Sequence, residues 1–220
     1  MPSVEDCLSL GLDRLGLAVS DSQLDRLRQY ARMVLDFNTG YNLMKAAGPD
    51  EMYVNHILDS LAALAHIRTF VDRVPSEQPV FADIGSGGGC PGIPLAILLD
   101  TYPFRLVERM EKRSAFLDRV IRELGLQNVQ VLTMQAERLP SGAFDLAFFR
   151  AFHPFDHKTT KTLLALLKKG GFLIAYKARS EKIAAEMDAV RDMIPDYQKI
   201  PLSVPFLEDH ERNLVVVQKR

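Results

Sequence analysis

Four glycines fall within five positions, Gly85, Gly87, Gly88 and Gly89, in the run Asp83-Ile84-Gly85-Ser86-Gly87-Gly88-Gly89-Cys90-Pro91-Gly92-Ile93-Pro94. Glycine tolerates positive φ and lets a ligand come close to the backbone, so this stretch reads as a loop wrapped around something small. The short apolar run Val80–Ile84, interrupted only by Asp83, reads as a buried strand that delivers a carboxylate at its end. Pro91 is expected to open a helix, where a missing N–H costs nothing. Strand, glycine loop and helix start then present free N–H groups and a positive dipole end to the enclosed ligand, which suits nucleotide-like molecules. A plain turn would need one or two glycines rather than four. Gly87 to Gly92 also fits G-x-G-x-x-G, with Glu108 about twenty residues on, as dinucleotide sites require. Asp83 argues against a dinucleotide, because a carboxylate can hold a cationic amino group and does nothing for a pyrophosphate. Three further polar residues end apolar runs: Glu108, Arg150 and Lys177. Glu108 is either an acceptor for the two hydroxyls of a ribose or an exposed strand-end acid.

These residues need elements to hold them, and the pattern changes character near residue 71. Before it, apolar residues recur at helical spacing from Val4 to about Gly16 and from Ser20 to about Asn38, with Ser20 or Asp21 as N-cap of the second helix. A third helix is expected from Pro49 to about Arg68, with Val54, Ile57, Leu58, Leu61 and Leu64 as its buried stripe. His56, Asp59 and Ser60 on that helix read as cap and surface polar residues. Residues 71–79 are polar, contain two prolines, and mark a junction. The division expected is an N-terminal helical extension over 1–70 and a ligand-binding domain over 71–220.

After the junction, strands and helices alternate. Strands are expected at Phe104–Glu108, Val129–Thr133, Phe144–Phe149 and Phe172–Tyr176. Between them lie helices at Ile93–Leu99, at Glu111–Leu124 stopped by Gly125, and at Asp156–Lys169 closed by Gly170-Gly171. Such alternation predicts a parallel sheet with helices on both faces. The last elements break it: after a helix over Glu181–Met193, strands at Tyr197–Val204 and Asn213–Gln218 should form an antiparallel hairpin.

Composition sets limits. With 47% hydrophobic and 25% charged residues the chain can form a sizeable core. Cys7 and Cys90 give neither a disulfide framework nor metal spacing, which suits a reducing cytosol, and no metal site is expected. The N-terminus lacks the basic start and apolar block of a signal peptide, and no apolar run reaches the roughly eighteen residues that span a bilayer. The expected location is the cytoplasm. The net charge is −1, yet residues 158–182 carry seven bases (Lys158, Lys161, Lys168, Lys169, Lys177, Arg179, Lys182) against Glu181 alone. That run is either a solvated helix face or a surface that meets RNA.

A parallel sheet ending in an antiparallel hairpin is the arrangement of class I S-adenosylmethionine-dependent methyltransferases. The motifs resemble those of the ribosomal small-subunit methyltransferase G family, also called glucose-inhibited division protein B, over about residues 36–218. The resemblance rests on Tyr41-Asn42-Leu43, on His56-Ile57-Leu58-Asp59-Ser60-Leu61, and on the glycine loop from Asp83 to Pro94. It continues through Glu108, Lys112-Arg113, Phe116-Leu117, Ala136-Glu137, Arg150-Ala151, Gly170-Gly171 and Lys177. It implies a Rossmann-like fold with a mostly parallel seven-stranded sheet, an antiparallel C-terminal hairpin and an N-terminal helical extension. It also implies methyl transfer from S-adenosylmethionine to N7 of one guanosine in 16S rRNA, with 16S rRNA or the small ribosomal subunit as partner and no membrane. Carried over, the cofactor contacts fall on Gly85, Cys90, Ala136, Glu137 and Arg150, to which the reading of the loop adds Asp83, Gly87, Gly89 and Glu108.

Arg150 and Lys177 are the residues expected to act at the methyl acceptor, Arg150 by positioning cofactor or guanosine, with a structural ion pair as its other reading. Phe148, Phe149 or Phe152 beside Arg150 could stack on a base or pack in the core. The chain departs from the family pattern at Cys90, Met44, Phe149 and Ala178. Two other readings stay open: a methyltransferase-fold enzyme acting on a small molecule or protein, and a nucleotide-binding module without activity.

Overall fold

The computed structural model describes residues 7–151 and 154–220. The expected start of the first helix at Val4, and Phe152 as a stacking candidate, lie outside the described residues. Helix α1 spans Cys7–Arg14 and α2 spans Asp21–Asn38. Ser20 is the N-cap of α2, and with Gln23 it forms a reciprocal capping box that fixes where the helix starts.

The single helix expected from Pro49 to Arg68 is instead four pieces: α3 Pro49–Met52, a π-helical turn Tyr53–Leu58, α4 Asp59–Leu61, and α5 Leu64–Val71. The cause is visible in the ladder. Arg150 donates to the Asn55 carbonyl at 3.1 Å, Tyr176 donates to the Ser60 carbonyl at 2.9 Å, and Ser60 Oγ bonds back to the His56 carbonyl. Groups that take helix carbonyls for themselves leave the regular i→i−4 pattern unfilled, and the turn widens.

The rest of the chain runs β1 Phe81–Ile84, α6 Gly92–Leu98, β2 Phe104–Glu108, α7 Glu111–Leu124, β3 Val129–Thr133, a 3₁₀ turn Ala136–Arg138 and β4 Phe144–Arg150. It ends with α8 His157–Leu166, β5 Leu167–Lys177, α9 Ser180–Ala189, β6 Gln198–Pro201 and β7 Asn213–Gln218. The seven strands form one sheet in the order β3-β2-β1-β4-β5-β7-β6, parallel except for β7, which runs antiparallel to both β5 and β6. Pro91 caps α6 from outside rather than opening it.

Two boundaries moved for a reason. Helix α8 stops at Leu166, and Gly170-Gly171, expected to close it, lie inside β5. Gly170 has φ +82°, and a Cβ on Gly171 would sit 2.6 Å from the Asp145 carbonyl oxygen. The pair is needed where β5 presses on β4, at the point where their register shifts. Helix α9 and strand β6 are both shorter than their apolar runs suggested.

Side chains alternate across the sheet and feed two cores. One face packs Phe81, Leu106, Phe148 and Ile174 against α1, α2, the helices between Pro49 and Val71, α6 and α7. The other packs Ala82, Val107, Phe149 and Leu173 against α8 and α9. Phe148 and Phe149 are therefore opposite-facing core residues, fully buried, and neither is available to stack on a base. The helices before Val71 share the larger core with the sheet. No helix among the described residues is long and apolar enough to cross a membrane.

Candidate active site

The sheet reverses its order between β1 and β4, and the crevice outside the carboxyl ends at such a point is where open α/β sheets bind ligands. The glycine loop sits there. Its first N–H groups, Gly85 and Ser86, donate to the Val107 carbonyl at 2.8 and 3.0 Å and bind the loop to β2. Gly87 N–H donates to Glu108 at 3.0 Å, and Gly92 N–H to Asp83 Oδ2 at 2.9 Å. The back of the loop is packed. At Gly89, with φ +104°, a Cβ would meet Ile93 at 2.7 Å and Leu117 at 3.1 Å, so only glycine fits. From α2, Tyr30 OH donates to the Gly88 carbonyl at 2.7 Å and lies 3.2 Å from Cys90 Sγ.

In front of the loop lies a cleft of about 440 Å³, walled by Gly85, Glu108, Arg113, Gln135, Ala136 and Glu137 among others. Glu108 is buried, and its two oxygens accept the N–H groups of Gly87 and Met110. A carboxylate offers about four lone-pair positions, so each oxygen retains one. Arg113 Nε on the wall is buried with no acceptor among the described residues.

A second cavity, about 560 Å³, adjoins the first, and Ala151 lines both. Its walls bring Asn55, His56 and Asp59 from the π turn and α4 against Arg150, Tyr176 and Lys177 from the strand ends, and against Arg212 from the loop before β7. One buried carboxylate organises it. Asp59 Oδ2 pairs with Arg150 Nη1 and Oδ1 with Arg212 Nε, each at 2.8 Å. Arg150 Nη2 lies 3.0 Å from His56 Nδ1, and His56 Nε2 lies 2.9 Å from the Lys45 carbonyl. Burial and the Arg150 charge lower the His56 pKa, which fits a neutral ring accepting at Nδ1 and donating at Nε2. Lys177 Nζ pairs with Glu186 at 2.6 Å, above the rings of Phe149 and Phe155.

All the sequence candidates but Gly87 separate into three groups. Gly85, Glu108, Ala136 and Glu137 meet in the first cleft, and Arg150 and Lys177 in the second cavity. Asp83, Gly89 and Cys90 lie beneath the loop, in its packed support. Burial raises the Asp83 pKa to about 7, and its Oδ1 has no hydrogen-bond partner among the described residues. Gly87 lines neither cavity; its N–H is held by Glu108. The ion pair weighed as an alternative for Arg150 is formed, inside the cavity wall.

Sequence reasoning set His56, Asp59 and Ser60 aside as surface polar residues, and it missed Asn55, Tyr176 and Arg212. A signal existed for the first group, because positions i, i+3 and i+4 share a helix face beside the apolar stripe. Nothing local marks Arg212 as different from the other charges of its loop. Among the described residues no group of three or more His, Cys, Asp or Glu could hold a metal ion.

Residues 23–215 match the family model described as rRNA small subunit methyltransferase G. The chain is 35% identical to the ribosomal RNA small subunit methyltransferase G of Treponema denticola, over 95% of this chain and 92% of that one. It is 34% identical to the protein of the same name from Neisseria meningitidis serogroup B, over 97% of each. Among solved structures, a tRNA methyltransferase from Aquifex aeolicus superposes with a TM-score of 0.55 at 13% identity, covering 72% of this chain and 69% of that one. A SAM-dependent methyltransferase from the same organism superposes with a TM-score of 0.51 at 15% identity, covering 72% and 92%. At such identities the structural matches establish the S-adenosylmethionine-dependent methyltransferase fold, while the sequence matches establish descent. The chain belongs to the rRNA small subunit methyltransferase G family.

Proposed function

We propose that this chain transfers a methyl group from S-adenosylmethionine to N7 of one guanosine in the 16S rRNA of the small ribosomal subunit, in the cytoplasm. The observation that carries the proposal is the pair of adjoining cavities that share Ala151 at the carboxyl edge of the sheet. One has the donor set of a nucleoside cleft and the other is rich in cations.

The first cleft fits the cofactor. Glu108 keeps lone pairs for a ribose diol, and Arg113 Nε is a buried donor without an acceptor among the described residues. Unpaired buried polar atoms are costly, and a polar ligand that reaches them relieves the cost. Glu108, Ala136 and Glu137 would hold the nucleoside end and Gly85 the amino-acid end, with Asp83 fixing the loop from beneath through Gly92. When bound, S-adenosylmethionine supplies a methyl group made electrophilic by its sulfonium.

The second cavity supports N7 as acceptor. His56 has both ring nitrogens engaged, Asp59 is held between two arginines, and Lys177 is paired with Glu186. None of these side chains stands free to remove a proton. Guanine N7 carries an available lone pair and needs no base, so the protein's part is to fix the base against the methyl donor and exclude water. Arg150 and Lys177 would do the positioning.

Incubating the protein with methyl-labelled S-adenosylmethionine and unmodified small subunits tests the reading. Label should enter 16S rRNA at one guanosine, and the modified site should cleave under the reduction and aniline treatment that detects 7-methylguanosine. Label in protein or small-molecule fractions alone would overturn it.

A further inference from the structure

The second cavity contains a cation, Arg212, with two nitrogens anchored and the third without an acceptor among the described residues. Arg212 lines the wall with its side chain 26% exposed. Its Nε is committed to Asp59 Oδ1 at 2.8 Å and its Nη1 to the Glu211 carbonyl at 3.1 Å. Its Nη2 has no acceptor among the described residues. Arg150 differs: Nη1 donates to both Asn55 and Asp59, and Nη2 faces His56.

A guanidinium has five N–H donors in a planar fork, so anchoring two of its nitrogens fixes the direction of the third. Arg212 is therefore preorganised as a donor. Its anchor is unusual in reach: Asp59 lies 153 positions earlier in the chain, and the same carboxylate holds Arg150. The loop before β7 is thereby tied to the strand end that borders the cofactor cleft.

Resting on the reading above, we infer that Arg212 is the specificity-determining residue of the acceptor cavity, donating from Nη2 to O6 of the guanine that is methylated. At the purine 6-position guanine presents a carbonyl acceptor and adenine an amino donor. A fixed donor therefore accepts the first and opposes the second, and it leaves N7 open to the methyl group. Asp59 is the positioning residue that holds the fork.

The inference is tested with small subunits whose target guanosine is replaced by inosine, which keeps O6, or by 2-aminopurine, which lacks it. The parent protein should methylate guanosine and inosine at comparable single-turnover rates and 2-aminopurine about 10- to 100-fold more slowly, the range of one charge-assisted hydrogen bond. Arg212→Gln and Arg212→Ala should lower the guanosine to 2-aminopurine rate ratio about 10- to 100-fold below the parent's, mainly through slower guanosine methylation. Comparing ratios cancels intrinsic N7 reactivity and any general loss of activity. Retention of cofactor binding shows that either variant is folded; if both fail that check, Arg212→Lys, which keeps the charge on a single-point donor, should show a reduced ratio. A variant that retains the parent's ratio, or that weakens RNA binding equally for all three bases as a phosphate contact would, overturns the inference and leaves the proposed function standing. A parent that binds the cofactor but labels no RNA overturns both.

Discussion

Asp83 shows how much of a site residue its type reveals and how much its surroundings decide. A strand-end acid before four glycines reads as a contact for a cationic amino group, whereas in the structure its Oδ2 accepts the Gly92 N–H. Its complete burial was not legible, since that depends on α6 and β2 closing over it. Burial raises its pKa from 3.8 to about 7. The folded state then holds a proton that the unfolded chain releases, so stability falls as pH rises from about 4 to about 7 and changes no further above it. Asp83→Asn keeps an oxygen for the Gly92 N–H and has no charge to bury. Without ligand, its melting temperature relative to the parent should rise between pH 5 and pH 8, with about 3 kcal/mol as the upper bound over that range. A difference that is constant across that range would contradict the assignment, and the same variant should bind the cofactor more weakly. Cys90, Asp59 and Arg150 carry the complementary lesson. The residue after the glycine run spends its contact on Tyr30, and the partners of Arg150 lie about ninety positions away, beyond the reach of any local pattern.

At the scale of elements, periodicity located nearly every strand and helix, because burial of one stripe or one strand face is a local property of the sequence. It failed where another element reaches in. The helix from Pro49 widens into a π turn where Arg150 takes the Asn55 carbonyl and breaks after α4 where Tyr176 takes the Ser60 carbonyl, and α8 ended early because β4 requires Gly170-Gly171 in the adjoining strand. Helix α2 is the converse case: its buried stripe was plain, but the polar end of Tyr30 within that stripe grips the glycine loop. Tyr30→Phe keeps the ring and leaves the buried Gly88 carbonyl without its donor, at a cost of about 1–3 kcal/mol. For a chain of this size each kcal/mol lowers the melting temperature by about 2–4 °C. Amide exchange over residues 85–90 should also quicken, while an unchanged melting temperature and unchanged loop protection would show that the loop holds itself.

At the scale of the whole molecule, a run of like charges in the sequence is divided by the topology. Strands β4 and β5 are parallel, so the two ends of β5 lie at opposite edges of the sheet. Lys168 is at the far edge, paired with buried Asp145 near the start of β4, and Lys169 follows it. Lys158 lines the first cleft at the start of α8, with Lys161 one turn on, and Arg179 and Lys182 flank the start of α9, just past the carboxyl end of β5. The basic run therefore forms no single face, and its cleft-side members are the ones placed to meet RNA that enters the second cavity. Each phosphate contact releases counterions, so every true contact adds about one to the slope of log affinity against log salt. Replacing Lys158, Lys161 and Lys182 by alanine together should lower the slope for small-subunit RNA by about two to three. The Lys168→Ala, Lys169→Ala pair should leave it unchanged, because its charges face away from both cavities. The reverse pattern, a slope that responds only to the far-edge pair, would mean that the RNA approaches across the amino edge of the sheet, and the second cavity could not then be where the acceptor base is held.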